Sequence, residues 1–325
     1  MPQPAQNFHA TPEQADQALT TALRAWLPGK SWSDVQKLVR NRQVQIDGNL
    51  CLDEGRRLRG SEVVKLLTHS AIAPPQEHDV KLRYVDAHLI VVEKPSGMTT
   101  LRHPTERSWP ARRKQVQPTL DEVLPRVLAK KERSGSQKSQ RGPLRRVRPV
   151  HRLDRETSGL MVFARTVDAE RILGLQFKEH TIHRVYVGVA LGRVTARTIE
   201  TRLIDDRGDG RRGSTRNPKL GKVAITHVKP LEFINGYTLV ECRLETGRTH
   251  QIRIHLSEAG YPLCGDKVYR GRYPGKPIAD ESGAPRLALH AAELGIEHPV
   301  SGESQKFAMP LPADLADFVA RLRKK

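Results

Sequence analysis

Apolar and polar positions along this chain follow two kinds of spacing, which predict both helices and strands. Between residues 13 and 27 the apolar positions recur at the spacing of an amphipathic helix. Residues 44–46 alternate apolar and polar, as in a half-buried strand, and the Asp-Gly pair that follows is a tight-turn signal. Residues 89–92 and 160–164 are unbroken apolar runs, which are typical of buried strands. The pattern predicts many short strands with a few helices.

The length and the charge of the chain narrow the class of protein. A chain of 325 residues is long enough for about two domains. The net charge of +19 and the isoelectric point of 10.2 indicate a polyanionic partner, either nucleic acid or an anionic membrane surface. No apolar run is long enough to predict a spanning helix, and residues 1–10 lack the pattern of a secretory signal. Cys51, Cys242 and Cys264 are too widely spaced for a disulfide framework or a paired zinc motif, so we expect a cytoplasmic protein.

The most charge-dense stretch of the chain leads directly into the apolar run 160–164. Five of its six residues are charged or titratable: His151, Arg152, Asp154, Arg155 and Glu156. A polar loop that opens into a buried strand places such groups at the rim of a core, where functional sites are usually built. Asp154 has arginines on both sides, which favour its ionised form, so it could act as nucleophile, general base or metal ligand. The alternative is a salt-bridged loop residue with no chemical role.

Residues 151–160 resemble the signature loop of the RluA-type pseudouridine synthases, which convert uridine in structured RNA to its C-glycoside isomer. The family motif His-Arg-Leu-Asp-x-x-Thr-Ser-Gly-Leu is present at every fixed position. The resemblance implies that Asp154 is the catalytic residue and that Arg152 fills the gap left by a flipped uridine. It also makes His151 and Leu153 candidate substrate-binding residues. Whether Asp154 attacks C1′ of the ribose or abstracts a proton is left open.

Two further segments are similar to motifs of the same family. Residues 246–255 match Thr-Gly-Arg-Thr-His-Gln-Ile-Arg-x-His, which implies that Arg253, with Arg248 as second choice, orients Asp154 through a bidentate pair. Arg248 is also a candidate substrate-binding residue. Tyr186 lies in a strand that resembles the family's Lys-x-Tyr strand, with Arg184 in place of Lys, and the resemblance places that Tyr against the uracil. The two histidines of residues 246–255 are five positions apart, not the four that would share a helical face, so we expect no metal.

A basic insert interrupts the resemblance, which covers residues 80–325. Residues 101–148 contain fourteen Lys or Arg against four Asp or Glu, a surplus of ten positive charges. A helix is predicted over residues 119–131. The insert is either a solvated disordered segment or an arm that contacts RNA phosphates, for which Arg145, Arg146 and Arg148 are the candidate residues.

Residues 1–72 are similar to the alpha-L RNA-binding domain of ribosomal proteins. The predicted order is a helix, a basic helix over residues 34–41 capped by Ser33, and a hairpin whose Val-x-Ile-Asp-Gly turn matches the family's Val-x-Val-Asn-Gly. Lys37 and Arg40 are its candidate RNA contacts. Residues 31–33 depart from the family, which more often has an Arg beside a Ser.

The resemblance implies an α+β fold with a pseudouridine synthase catalytic domain, whose mixed and largely antiparallel sheet is split by an active-site cleft. A small N-terminal α/β RNA-binding domain precedes it. The expected function is isomerisation of uridine in large-subunit ribosomal RNA by a monomer that needs no cofactor and binds no membrane. The alternatives are a tRNA pseudouridine synthase and a non-catalytic RNA-binding protein of ribosome assembly. A glycosidase-type hydrolase is a further alternative that would need two close carboxylates, and only Asp154 and Glu156 lie near each other here.

Overall fold

The protein is described by a computed structural model that covers residues 6–47, 49–60, 62–71, 73–134 and 146–324. The chain divides into two compact units. The first unit contains residues 1–74 and 103–118, and the second contains residues 75–102 and 119–325. Each unit has its own hydrophobic core.

The first unit packs helices against a small antiparallel sheet. Its strands are β1 (Gln6–His9), β2 (Val44–Ile46), β3 (Asn49–Leu50) and β4 (Val63–Leu66), in the order β1-β4-β2-β3. Its helices are α1 (Leu19–Trp26), α2 (Trp32–Arg40) and α3 (Ala111–Val116), with short 3-10 turns at Pro12–Gln14 and Pro104–Glu106. The apolar faces of α1 and α2 supply the core with fully buried side chains, among them Leu19, Leu23, Val35 and Val39.

Helix α2 begins earlier than the sequence pattern predicts. The hydroxyl of Ser31 accepts a hydrogen bond from the backbone N–H of Asp34 at 3.2 Å, and the Asp34 carboxylate accepts one from the backbone N–H of Ser31 at 3.0 Å. This reciprocal pair satisfies donors at the start of the helix, so Ser31 is the N-cap. The prediction that Ser33 caps this helix was wrong, because Ser33 already lies within the first turn.

The second unit is built on an eleven-stranded sheet. Its strands are β5 (Lys81–Val85), β6 (Leu89–Lys94), β7 (Arg148–Pro149), β8 (Ser158–Ala164), β9 (His183–Leu191), β10 (Arg197–Ile204), β11 (Gly213–Thr215), β12 (Lys222–Ile234), β13 (Tyr237–Leu244), β14 (Leu289–Glu297) and β15 (Ser304–Ala308). The helices are α4 (Leu120–Ser134), α5 (Val167–Lys178), α6 (Gln251–Glu258) and α7 (Ala313–Lys324), with a 3-10 turn at Glu77–Asp79.

The sheet has the order β11-β10-β12-β13-β9-β14-β8-β6-β5, with β15 beside β14 and β7 beside β8. Among the described residues, β8 and β14 are paired in parallel and all other neighbours are antiparallel. This confirms the predicted α+β fold with a mixed, largely antiparallel sheet. The parallel pair joins Ser158 to His290 and Gly159 to Ala291, directly after the charged loop. It therefore anchors the end of that loop to the centre of the sheet.

The apolar runs in β6 and β8 are explained by burial on both faces of the sheet. Alternate residues of the two strands, such as Val92 and Phe163, join one core cluster together with α4. The intervening residues, such as Val91 and Val162, join a second cluster with α5. Because both faces are covered, neither strand needs a polar alternation.

The segment expected as a basic insert is not one continuous insert. The predicted helix over residues 119–131 is present as α4, but its apolar side chains, Leu120, Val123, Leu124 and Leu128, are buried in the core of the second unit. Residues 103–118 belong instead to the first unit. Hydrophobic burial holds α4 in the fold, so the expectation of a solvated disordered segment was wrong for this helix. Contact between the basic region and RNA phosphates stays a prediction. Residues 135–145, which include Arg145, lie outside the described residues.

None of the helices in the described ranges combines the length and the apolar character that crossing a membrane requires.

Candidate active site

Three segments that are far apart in sequence line one cavity of about 430 Å³ in the second unit. The first is the charged loop at residues 150–157, the second is strand β9, and the third is the segment 247–253 that enters α6. All seven predicted catalytic and substrate-binding residues line this cavity: His151, Arg152, Leu153, Asp154, Tyr186, Arg248 and Arg253. The fold therefore assembles in one place the residues that the sequence motifs single out.

The loop that carries Asp154 is fixed by hydrogen bonds on both sides of that residue. Before it, the Thr100 hydroxyl donates to the carbonyl of Leu153 at 2.9 Å and accepts from the Leu153 N–H at 3.2 Å. After it, the N–H of Thr157 donates to the carbonyl of Asp154 at 3.1 Å. Because the backbone is held at both ends, the Asp154 carboxylate is presented to the cavity from a rigid support.

Lys94 ties this loop to the end of β6. Its side chain is fully buried, and its ammonium group donates to the carbonyls of Pro95, Met98 and Arg155 at 2.9, 2.8 and 3.1 Å. Burial lowers the pKa of Lys94 to about 7, although the nearby carboxylates of Asp154 and Glu156 act in the opposite direction. In the sequence Lys94 is only the second residue after the apolar run 89–92, and the structure makes it a support of the site.

Asp154 is flanked by two cationic or titratable side chains. Its carboxylate lies 3.5 Å from Nη1 of Arg253 and 3.9 Å from Nε2 of His250, and its side chain is 16% exposed. The expected bidentate pair between Arg253 and Asp154 is not what the structure contains. Arg253 instead donates Nε and Nη2 to the two carboxylate oxygens of Asp266 at 2.7 and 2.9 Å, which leaves Nη1 facing Asp154. A second carboxylate therefore orients the arginine that neighbours the first.

Asp266 and His250 are neighbours of the Asp154–Arg253 pair that sequence reasoning did not select. The Asp266 side chain is wholly buried, so its pair with Arg253 is shielded from water. His250 adopts a left-handed backbone conformation (φ +59°) at the start of α6, and its Nδ1 lies 2.8 Å from the Tyr269 hydroxyl. Burial raises the pKa of Tyr269 to about 12, so the phenol stays protonated and can donate to Nδ1. His250 lies in the motif at residues 246–255, but nothing in the sequence connects His250 or Asp266 to Asp154.

Tyr186 lies in the middle of the sheet, paired with Cys242 of β13 and Ala291 of β14. The residue is buried, and burial raises the pKa of its phenol, an effect that Arg184 opposes and Asp154 reinforces. Its side chain is therefore a neutral phenol near pH 7. Arg184, two residues earlier, lies on the same face of β9 and also lines the cavity.

The remaining predicted residues of the cavity differ in their exposure and in whether their side-chain nitrogens already form hydrogen bonds. His151 accepts a hydrogen bond at Nε2 from the Val162 N–H at 3.0 Å, and its ring stacks on Phe177 at 4.5 Å. Burial lowers the pKa of His151 to about 3, so the ring is neutral. Arg152 is exposed at the rim. Arg248 is half-buried and donates from Nε to the carbonyl of Val223 at 3.0 Å.

The predicted RNA contacts outside the cavity are spread over both units. In the first unit, Lys37 and Arg40 lie on α2, and Arg40 forms a bidentate pair with Glu54 at 2.6 and 3.2 Å. In the second unit, Arg146 is exposed, whereas Arg148 pairs with Glu170 at 2.7 Å. The guanidinium groups of Arg40 and Arg148 are thus already occupied by carboxylates.

Across the described part of the chain, no three His, Cys, Asp or Glu side chains are grouped so that they could hold a metal ion.

The mixed sheet thus carries one cavity that is lined by a carboxylate, an arginine and a buried tyrosine, which is the arrangement of an enzyme active site. Residues 88–258 match the family model described as RNA pseudouridylate synthase. The chain belongs to this family, and it is a pseudouridine synthase.

Relatives resemble the chain over most of its length. The ribosomal large subunit pseudouridine synthase D of Pseudomonas aeruginosa is 34% identical over 300 residues, which cover 86% of this chain and 85% of that protein. The protein of the same name from Nitrosomonas europaea is 33% identical and covers 95% of this chain and 84% of that protein. Among solved structures, human RNA pseudouridylate synthase domain containing 4 aligns with a TM-score of 0.57 at 22% identity, over 75% of this chain and 93% of that chain. This last likeness concerns the fold.

Proposed function

We propose that this enzyme isomerises uridine to pseudouridine in large-subunit ribosomal RNA, with Asp154 as its catalytic residue. The observation that carries the proposal is the placement of the Asp154 carboxylate in the cavity, 3.5 Å from Arg253. The names of the relatives and the net charge of +19 support a ribosomal RNA substrate. The enzyme acts as a monomer in the cytoplasm.

The reaction requires that the uridine leaves its stack and enters the cavity. The C1′–N1 bond breaks, the base turns, and C5 joins C1′, after which the C5 proton is lost and N1 gains a proton. Asp154 acts at C1′ or at the adjacent sugar hydrogen. Arg253, held by Asp266, keeps this carboxylate in place, and the exposed Arg152 fills the gap that the flipped base leaves in the RNA.

The walls of the cavity contact the base. Tyr186 packs on the uracil ring, and its raised pKa favours this contact over removal of the C5 proton by a phenolate. His151 and Leu153 support the loop side of the cavity, since His151 is neutral and already accepts a backbone hydrogen bond. Arg248 lines the wall of the cavity that the segment leading into α6 forms, and it contacts the substrate there.

RNA docking outside the cavity uses exposed cations. The first unit is an alpha-L RNA-binding domain in which Lys37 contacts phosphate, whereas Arg40 is paired with Glu54. In the second unit Arg146 contacts phosphate, whereas Arg148 is paired with Glu170. Arg145, which precedes Arg146 in the sequence, is a further phosphate contact.

The test is to map pseudouridine in total RNA from a strain that lacks the gene and carries wild-type protein, Asp154→Asn or Glu156→Gln. Wild-type protein should restore pseudouridine in large-subunit ribosomal RNA. Asp154→Asn should restore none, because it keeps the size of the side chain but removes the charge. Glu156→Gln is a matched control, since its carboxylate is half exposed two positions away, and it should restore the modification. Restored sites confined to tRNA would contradict the proposed substrate, and an active Asp154→Asn would contradict the assigned role.

A further inference from the structure

Arg184 is a buried cation in the active-site cavity that the mechanism above does not use. The residue is 7% exposed and lines the cavity. Its Nη2 donates to the backbone carbonyl of Glu245 at 3.0 Å, and its guanidinium lies over the Phe177 ring at 5.7 Å. Its Nε is buried and has no hydrogen-bond partner among the described residues.

No carboxylate in the described parts of the chain forms an ion pair with Arg184. The Glu245 side chain is turned away, because it pairs with His227 at 2.6 Å. The titratable groups whose pKa the guanidinium affects are His151, His180 and Tyr186. Arg248 is a further cation that acts on His180. Burial accordingly lowers the pKa of Arg184, with Tyr186 as the only group acting in the opposite direction. An unpaired buried charge is costly, and proteins keep one mainly where a ligand completes it.

The chain also leaves room for this guanidinium. A Cβ atom on Gly247 would lie 2.5 Å from Nη1 of Arg184. Gly247 belongs to the segment that enters α6, and the absence of a side chain there allows the arginine to lie against the backbone. The position of Arg184 is therefore defined both by β9 and by the segment that enters α6, and both of these line the cavity.

We propose that Arg184 is a substrate-contact residue that donates a hydrogen bond to a carbonyl oxygen of the uracil ring and stabilises the ring while it is detached from C1′. When the C1′–N1 bond breaks, its electron pair stays with the uracil, and the negative charge spreads over N1 and the two carbonyl oxygens. The charge is consumed when C5 bonds to C1′. The C5 proton then leaves and N1 takes up a proton, which gives the neutral C-glycoside. Arg184 transfers no proton in these steps.

The depth of Arg184 favours the base over a phosphate as its ligand. Tyr186, which packs on the uracil, lies two residues away on the same face of β9. Arg152, Lys178 and His180 are exposed at the rim, where the RNA backbone passes, and can contact phosphates there. A donor in a water-excluded cavity is worth far more to a developing anion than one in water.

This inference rests on the proposed function of the site, and its test separates the two. Total RNA from the deletion strain serves as substrate, so that wild-type turnover is measured on whichever RNA class carries the target. Arg184→Met should lower the single-turnover rate at saturating RNA by about 10²–10³-fold, as expected for loss of one donor to a developing anion. RNA affinity should be unchanged, because the surface cations remain. The melting temperature of the free protein should not fall, since an unpaired buried charge has been removed.

Three further variants complete the experiment. Arg184→Lys keeps the charge and should retain part of the rate. Gly247→Ala should lower the rate without altering any charge, because the new methyl group displaces the guanidinium. Arg193→Met removes an exposed arginine that stacks on Phe233 at 3.8 Å and should behave as wild type.

Three results would overturn the inference. A wild-type rate for Arg184→Met would mean that the guanidinium does not contact the reacting base. Weaker RNA binding with a flatter salt dependence and an unchanged saturated rate would assign Arg184 to a phosphate. A lower melting temperature together with equal rate losses in Arg184→Met and Arg184→Lys would make its role structural. Failure of the wild-type protein to modify ribosomal RNA would instead concern the proposed function.

Discussion

Asp266→Asn tests how the site holds Arg253 beside Asp154. Oδ1 of Asp266 accepts hydrogen bonds from Nη2 of Arg253 and from the N–H groups of Val268 and Tyr269, at 2.9, 2.8 and 3.0 Å. Oδ2 accepts from Nε of Arg253 at 2.7 Å. Asparagine can place its side-chain oxygen where Oδ1 of Asp266 lies. Its NH₂ group then occupies the position of Oδ2 and faces Nε of Arg253, so that two hydrogen-bond donors oppose each other. The substitution removes a charge and one hydrogen bond while the size of the side chain stays the same.

The expected loss of stability follows from the burial of this pair. Arg253 is 6% exposed and the Asp266 side chain is fully buried. Removing one partner from a buried ion pair costs about 3–5 kcal/mol, and we expect the lower end because three of the four hydrogen bonds to Asp266 persist. In a domain of roughly 150–250 residues, each kcal/mol lowers the melting temperature by about 2–4 °C. The expected decrease is therefore about 6–12 °C.

The effect on catalysis should be separate from the effect on stability. A guanidinium released from Asp266 can turn toward Asp154, and a displacement of about 1 Å can lower a rate by about 10²-fold. The assay is single-turnover pseudouridine formation, with RNA affinity measured in parallel and expected to be unchanged.

Glu232→Gln is the matched control, because Glu232 forms a similar bidentate pair with Arg323 at 2.6 and 3.0 Å on an exposed surface. It should alter neither activity nor stability measurably. An Asp266→Asn variant with a lower melting temperature and an unaltered turnover rate would refute the positioning role.

Two other predictions concern charge. The pKa of Lys94 is about 7 in the folded protein against an ordinary value of 10.5, so the unfolded chain binds more protons between these pH values and stability should rise with pH across that window. Denaturant titrations of wild-type protein and Lys94→Met should differ in this slope, and equal slopes would contradict the lowered pKa. Arg146→Ala should reduce the slope of the logarithm of the RNA-binding constant against the logarithm of the salt concentration by about 0.7–0.9. Arg148→Ala should leave this slope unchanged, because Arg148 is paired with Glu170. Equal slopes for the two variants would contradict this distinction between exposed and paired arginines.

The sequence by itself determined the fold class and the candidate site. The apolar runs of β6 and β8 are readable because both strands are buried on both faces, so burial leaves a continuous signal. The three motifs are also readable, since each combines charged residues with a fixed turn or strand that holds them. All seven residues that these motifs singled out for the cavity line it.

Only the tertiary structure decided how these residues are paired. Arg253 was expected to bind Asp154 with both nitrogens, but Asp266, thirteen residues further along the chain, takes that bidentate position. The division of residues 101–148 between the two units has the same origin, because the burial of α4 depends on strands far from it in sequence. The unpaired charge of Arg184 likewise depends on contacts between segments that are far apart in the sequence. The partner of a charge is set by distance in space, and an arginine with five donors leaves no record in the sequence of which carboxylate it contacts.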